Sequence, residues 1–187
     1  MMRVLSRSLL ALSLLLPLTA SPSAQQAAQG QLRSPDVIFV PTPPEVVKAM
    51  LEAAKVTKGD IVYDLGSGDG RIPIAAVKDF GAQRATGIDI DPQRIKEANE
   101  NLKTSGVGDR VRFLNQDLFT TNLSEATVIT LYLLPSLNLK LLPKLRAELK
   151  PGTRIVSHAF DMGNEWAPER TIDVNGRKVY YWTMGKK

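Results

Sequence analysis

Three alternating glycines close the stretch Asp64-Leu-Gly-Ser-Gly-Asp-Gly70, directly after the apolar run Ile61-Val-Tyr63. A turn of that kind between a strand and a helix lets a ligand reach the backbone, with helix-terminal N–H groups pointing at it. Gly66, Ser67, Gly68 and Gly70 are therefore candidate ligand contacts. The dinucleotide pattern G-x-G-x-x-G would need glycine at position 71, which is Arg71, and no Gly-Lys-Ser/Thr follows for a P-loop. Asp64 and Asp69 would repel a pyrophosphate but suit a ligand carrying an ammonium and a sulfonium. Asp89 ends the next apolar segment, where a carboxylate can accept two hydrogen bonds from ribose hydroxyls. Asp117, after the following segment, is placed to accept from an adenine amino group, or else to cap its own loop.

Further along, Tyr132, His158 and Asp161 leave two later strands on the same side. Tyr132 either orients an amine or fills a strand end, and His158 is either a structural histidine or a proton acceptor. Trp166 either lines an acceptor channel or covers the sheet edge. The sequence has no cysteine and one histidine, which excludes disulfides, thiolate metal sites and a cysteine nucleophile. No metal is expected. The net charge is +5, falling to +3 when Arg3 and Arg7 are set aside, and it is spread without basic blocks. Nucleic-acid binding normally needs clustered Lys/Arg, so no nucleic acid is expected.

These residues need a scaffold that brings strand ends together. From Val40 the periodicity alternates between helix and strand, which predicts an α/β fold with a mainly parallel sheet and helices on both faces. Strands are expected at 61–64, 85–90, 111–114, 127–132 and 153–157. Helices are expected from a capping box at Thr42-Pro-Pro-Glu45 to about Lys55, from Ile72 to Phe80, and from Pro92 to Thr104. Asp91 is the expected N-cap of the last of these. Leu137 to Leu149 also has helical spacing, and Pro143 is expected to divide it in two. Asn175-Gly176 between 170–174 and 178–183 predicts a terminal antiparallel hairpin, giving seven strands.

Residues 1–24 read as a signal peptide or an N-terminal membrane anchor, with Arg3 and Arg7 ahead of a leucine-rich core. That predicts a cell-envelope or membrane-associated protein, on an undetermined side of the membrane. Residues 25–39 read as a flexible linker, leaving 40–187 as the folded domain.

The segments Asp64-Leu-Gly-Ser-Gly-Asp-Gly70, Gly87-Ile-Asp-Ile90 and Asn115-Gln-Asp-Leu118 resemble motifs of class I S-adenosylmethionine-dependent methyltransferases, which share a Rossmann-like seven-stranded sheet. Val40-Pro-Thr-Pro-Pro44, Leu131-Tyr-Leu-Leu-Pro-Ser136 and Ser157-His-Ala-Phe-Asp-Met-Gly163 are similar to the family of the ATP synthase c-subunit and adenine nucleotide translocase lysine N-methyltransferases. The resemblance implies S-adenosyl-L-methionine as cofactor, held by Asp64, Gly66, Gly68, Gly70, Asp89 and Asp117. Ile90 and Leu118 would pack on the adenine, and Thr42 and Pro43 would help close the site. It also implies a protein substrate, with a membrane protein as one candidate. The Asp/Asn-Pro-Pro-Tyr/Phe tetrapeptide that holds planar amides or adenine amines is absent, which argues against those acceptors. A small-molecule methyltransferase and a non-catalytic cofactor-binding protein are the alternatives.

Overall fold

A computed structural model describes residues Leu32 to Gly185. The targeting segment expected over 1–24 and the first part of the expected linker lie outside the described residues.

Seven strands form one sheet. They are β1 (Ile61–Leu65), β2 (Arg84–Asp89), β3 (Val111–Asn115), β4 (Val128–Leu131), β5 (Arg154–His158), β6 (Arg170–Val174) and β7 (Arg177–Thr183), in the order β3-β2-β1-β4-β5-β7-β6. The first five pair in parallel, and the last two make the antiparallel hairpin predicted at Asn175-Gly176. Both turn residues have positive φ, +52° and +82°, as a two-residue hairpin turn requires.

Strand side chains alternate between two cores, because successive residues point to opposite faces. Val62, Val128 and Val156 face α1 (Pro44–Ala53), α2 (Arg71–Lys78) and α3 (Pro92–Lys103). Tyr63, Ile129, Ile155 and Trp182 face α4 (Pro135–Glu148). Asp91 caps α3 as predicted, its side chain accepting from the Gln93 N–H.

Two local expectations are corrected. The first is the capping box: α1 starts at Pro44, Pro43 is its N-cap, and no side chain caps it. The Pro43 carbonyl takes the Val46 and Val47 N–H groups, so the Thr42 hydroxyl is left for another partner. The second is Pro143, which lies inside a single helix and does not divide it. A helix-interior proline costs about 3 kcal/mol. Here it sits on the exposed side of the helix, as does Leu139, whose carbonyl it leaves without its usual donor. Leu141, Leu142 and Leu145 are buried on the other side, each contributing about 1.5–3 kcal/mol, and their burial outweighs the lost bond.

The compact unit includes the segment from Leu32 to Phe39. The part of the expected linker from Leu32 to Phe39 has no regular secondary structure, but it makes defined contacts and walls a cavity.

Candidate cofactor and acceptor site

The sheet order reverses between β1 and β4, since β2 and β3 extend to one side and β4 and β5 to the other. Crossovers diverge at such a switch point and leave a crevice beyond the carboxyl ends of the strands. A cavity of about 630 Å³ occupies it, lined from β1, β2, the loops after β3 and β4 and the segment 33–42.

The glycine loop forms its floor. Gly66 and Ser67 both donate their N–H groups to the Ile88 carbonyl, at 2.8 and 3.0 Å, and the Gly68 N–H reaches Asp89 Oδ2 at 2.8 Å. The loop is thus tied to the end of β2. Gly68 has φ +52°, and a Cβ there would stand 2.2 Å from the Phe39 ring. At Gly70, with φ +80°, the Cβ would stand 2.3 Å from Phe113. Glycine is required at both positions by conformation and by space.

Asp64 is fully enclosed and lies opposite Thr130 across the β1–β4 ladder, whose hydroxyl donates to its Oδ1 at 2.6 Å. Burial pushes its carboxyl up to about 8. The Thr130 hydroxyl opposes that shift, while the nearby Asp89 and Asp69 carboxylates reinforce it. Asp89 is also raised, chiefly by burial, although its oxygens accept the Asp91 and Gly68 N–H groups. Asp89 also lines the cavity, and a carboxylate has about four acceptor sites to share between backbone and ligand donors.

Asp117 Oδ1 accepts from the Phe119 N–H at 2.9 Å, and its Oδ2 accepts from Arg33 Nε at 2.9 Å. Burial raises this carboxyl, but the Arg33 and Phe119 hydrogen bonds outweigh it and hold it below the usual range. Asp117 therefore caps its loop, as one of the two sequence readings has it, and also lines the cavity. Ile90, Leu118, Leu133 and Leu137 supply apolar wall.

The cations around the cavity are already paired. Arg33 binds Asp117 and Asp36, Arg71 binds Asp69, and Arg94 binds Glu97. No cation among the described residues pairs with Asp64 or Asp89, so the floor attracts a positively charged ligand. The Ser67 hydroxyl is buried there without a hydrogen-bond partner. An unpartnered buried hydroxyl, two unpaired carboxylates and a cradle with no room for Cβ atoms fit an adenosyl amino acid bearing an ammonium.

Comparison with known proteins agrees with that fit. The family described as the ANTKMT methyltransferase domain matches residues 64–170. The chain belongs to this methyltransferase family. It is 47% identical over 156 residues to a protein-lysine N-methyltransferase of Saccharolobus islandicus (strain REY15A), covering 81% of this chain and 96% of that one. An adenine nucleotide translocase lysine N-methyltransferase of Mus musculus is 31% identical over 138 residues, with 74% of this chain and 59% of that protein covered. A crystal structure described as an RNA methyltransferase from Salinibacter ruber, in complex with S-adenosyl-L-homocysteine, matches with TM-score 0.77 and 56% identity. That match covers 79% of this chain and 95% of that one. The chain is an S-adenosylmethionine-dependent methyltransferase.

In this methyltransferase, Asp64, Gly66, Ser67, Asp89, Ile90, Asp117, Leu118, Thr42 and Tyr132 meet at the cavity. Gly68 and Gly70 support it from the loop. Three expected residues fall elsewhere. Pro43 lies outside the cavity, at the start of α1. Asp161 lines no described cavity, and its Oδ1 caps a turn by accepting the Gly163 N–H at 2.9 Å. His158 is buried at the end of β5 with its Nδ1 3.2 Å from Thr42 Oγ1 and its ring 3.9 Å from that of Tyr132. It faces a second hollow of about 410 Å³, which shares Tyr132 and Val40 with the first. Trp166 covers the sheet, its carbonyl accepting from Trp182 Nε1 at 2.9 Å.

Arg33, Phe39 and Thr130 are additions that sequence reasoning missed. The apolar run Val37-Ile-Phe-Val40, too hydrophobic for a solvated linker, was the available signal for the first two. Thr130 could be found only from the strand register that sets it against Asp64.

Proposed function

We propose that this methyltransferase acts on the side-chain amine of protein lysines, and that its substrate is a membrane protein. The observation that carries the lysine reading is the 47% identity, spanning nearly the whole length, to a protein named for that activity. S-adenosylmethionine supplies an electrophilic methyl: the amine lone pair forms the new C–N bond as the S–C bond breaks, leaving S-adenosylhomocysteine. The residues of this chain hold and desolvate. Asp89 takes the ribose hydroxyls, Asp117 the adenine amino group, and Asp64 with Ser67 the amino-acid end. Ile90 and Leu118 pack on the adenine.

A lysine must be neutral to attack, so its ammonium has to lose a proton first. An aromatic, apolar approach past Tyr132 lowers the amine pKa by desolvation. Burial, with the charge of Arg177 adding to it, lowers the His158 pKa, so the ring is neutral near pH 7. A neutral imidazole beside Tyr132 can take that proton. Holding the reacting atoms in line and excluding water then supplies the acceleration.

The leucine-rich segment 1–24 supports a place at the cell envelope or membrane. Among the described residues no helix is long and apolar enough to cross one. Mass spectrometry of the native N-terminus tests this: a chain starting near Gln25 is expected from a cleaved signal, and one starting at Met1 from an anchor.

The test of the acceptor uses methyl-labelled cofactor with membrane, soluble-protein and RNA fractions from a strain lacking the gene. Label in protein, recovered as methyllysine after hydrolysis, is the expected result. Label in RNA would favour the activity named for the Salinibacter relative. Label in small molecules only would move the acceptor to that class, and cofactor binding without any transfer would leave a non-catalytic role.

A further inference from the structure

The second hollow lies between the segment Val40–Pro43, the carboxyl ends of β4 and β5, and the tip of the β6–β7 hairpin. Tyr132 and Val40 line both this hollow and the cofactor cavity, so the two spaces adjoin at those residues. Thr42 faces the cofactor cavity while its hydroxyl meets His158, which faces the hollow.

The backbone at the hollow is strained. Ala159 has φ +64°, a left-handed conformation that is unfavourable for a non-glycine residue. It sits in the tight turn closed by the Phe160 N–H and the His158 carbonyl, at 2.8 Å. Surrounding groups hold the turn in place. The Ala159 N–H donates to the Lys178 carbonyl at 2.8 Å, and the Ser157 hydroxyl to the Phe160 carbonyl at 2.6 Å. The buried Asn138 amide donates to the carbonyls of Phe160 and Asp161. Four anchors on one strained turn point to a position that matters to the chemistry, since strain persists only where its surroundings over-determine it. What the turn fixes is the His158 ring against Tyr132.

The rim of the hollow is basic but only partly neutralised. Lys178 is paired with Asp173 at 2.7 Å, across the hairpin. Arg177 next to it is exposed, and its guanidinium has no ion-pair or hydrogen-bond partner among the described residues. We propose that this hollow is where the acceptor side chain enters, and that Arg177 selects acceptors carrying a carboxylate beside the methylated amine. The proposal rests on the lysine reading above. A lysine amine threading past His158 toward Tyr132 leaves its neighbouring residues at the hairpin tip. An Asp or Glu there meets Arg177, and a second cation is repelled by it.

The test compares two peptides, each with a single lysine flanked by Glu or by Gln, using the full chain. The expected result is a preference for the Glu peptide of about threefold to fivefold in kcat/KM, carried by KM and fading as salt is added. Arg177→Glu reverses the preference and Arg177→Lys retains it, with S-adenosylhomocysteine affinity unchanged in both. Pro41→Trp, which fills the hollow, lowers turnover of both peptides at unchanged cofactor affinity. Methylation of both peptides with the same selectivity in wild type and Arg177→Glu would overturn the role of Arg177. Full turnover in Pro41→Trp would overturn the entry route. Either result leaves the lysine reading standing, whereas cofactor binding with no lysine methylated in any peptide or protein would remove both.

Discussion

Asp64 carries a carboxylate enclosed by protein, with the Thr130 hydroxyl as its partner and two more carboxylates nearby. Near pH 7 the free protein therefore holds a proton there. An ammonium brought against it favours the ionised form and expels that proton. Calorimetry of S-adenosylhomocysteine binding in buffers of different ionisation enthalpy should find about one proton released at pH 7. Affinity should rise with pH until it levels near 8, and Asp64→Asn should remove both effects. The stability linkage has the opposite sense for the free protein. The carboxyl is raised from its ordinary value of 3.8 to about 8, so its contribution is fully present below the lower value. That contribution is lost as pH rises through the upper one. The melting temperature of Asp64→Asn should thus exceed that of wild type by more at about pH 9 than at about pH 6. A constant difference would mean that Asp64 is ionised throughout.

At the scale of elements, the end of the sheet away from the cofactor has its own network. Arg154 donates to the Ala54 carbonyl at 2.6 Å and pairs with Asp60, while Arg170 donates to the Ala53 carbonyl at 2.7 Å. These guanidinium groups satisfy carbonyls that α1 leaves open at its C-terminus. Asp60 also accepts from the Thr57 N–H and the Thr127 hydroxyl, both at 2.7 Å. Arg154→Met should cost about 1–3 kcal/mol in denaturant unfolding, because it leaves buried acceptors unpaired, while cofactor affinity stays as in wild type. Elements of this kind were readable in the sequence wherever periodicity spoke. The parallel strands follow from short apolar runs after turn residues, and the hairpin from Asn175-Gly176. Helix ends were less legible. Thr42 has the right type and spacing for a cap, yet its hydroxyl turns to His158, a partner 116 residues away that no local pattern contains. Pro143 was read by propensity alone, and the burial of Leu141, Leu142 and Leu145 overrode it.

At the scale of the molecule, cofactor recognition comes from the sheet's switch point, where the ends of β1 and β2 and the loop after β3 deliver Asp64, Asp89 and Asp117 to one cavity. Those three aspartates were legible because each ends or closely follows an apolar run. The Arg33–Phe39 segment was not, because its order depends on Asp117, Arg94 and Gly68, which are remote in sequence. The catalytic side divided for a similar reason: His158 and Asp161 are three residues apart, but the strained turn at Ala159 sends only the first toward Tyr132. Everything in this arrangement depends on the cofactor occupying the switch-point cavity with its ribose on Asp89. The most direct measurement is the affinity of wild type and Asp89→Ala for S-adenosylhomocysteine, with folding checked by circular dichroism. Losing two hydrogen bonds to a charged acceptor should cost about 3 kcal/mol or more, roughly a hundredfold in affinity. Wild-type affinity in a folded Asp89→Ala protein would contradict that placement.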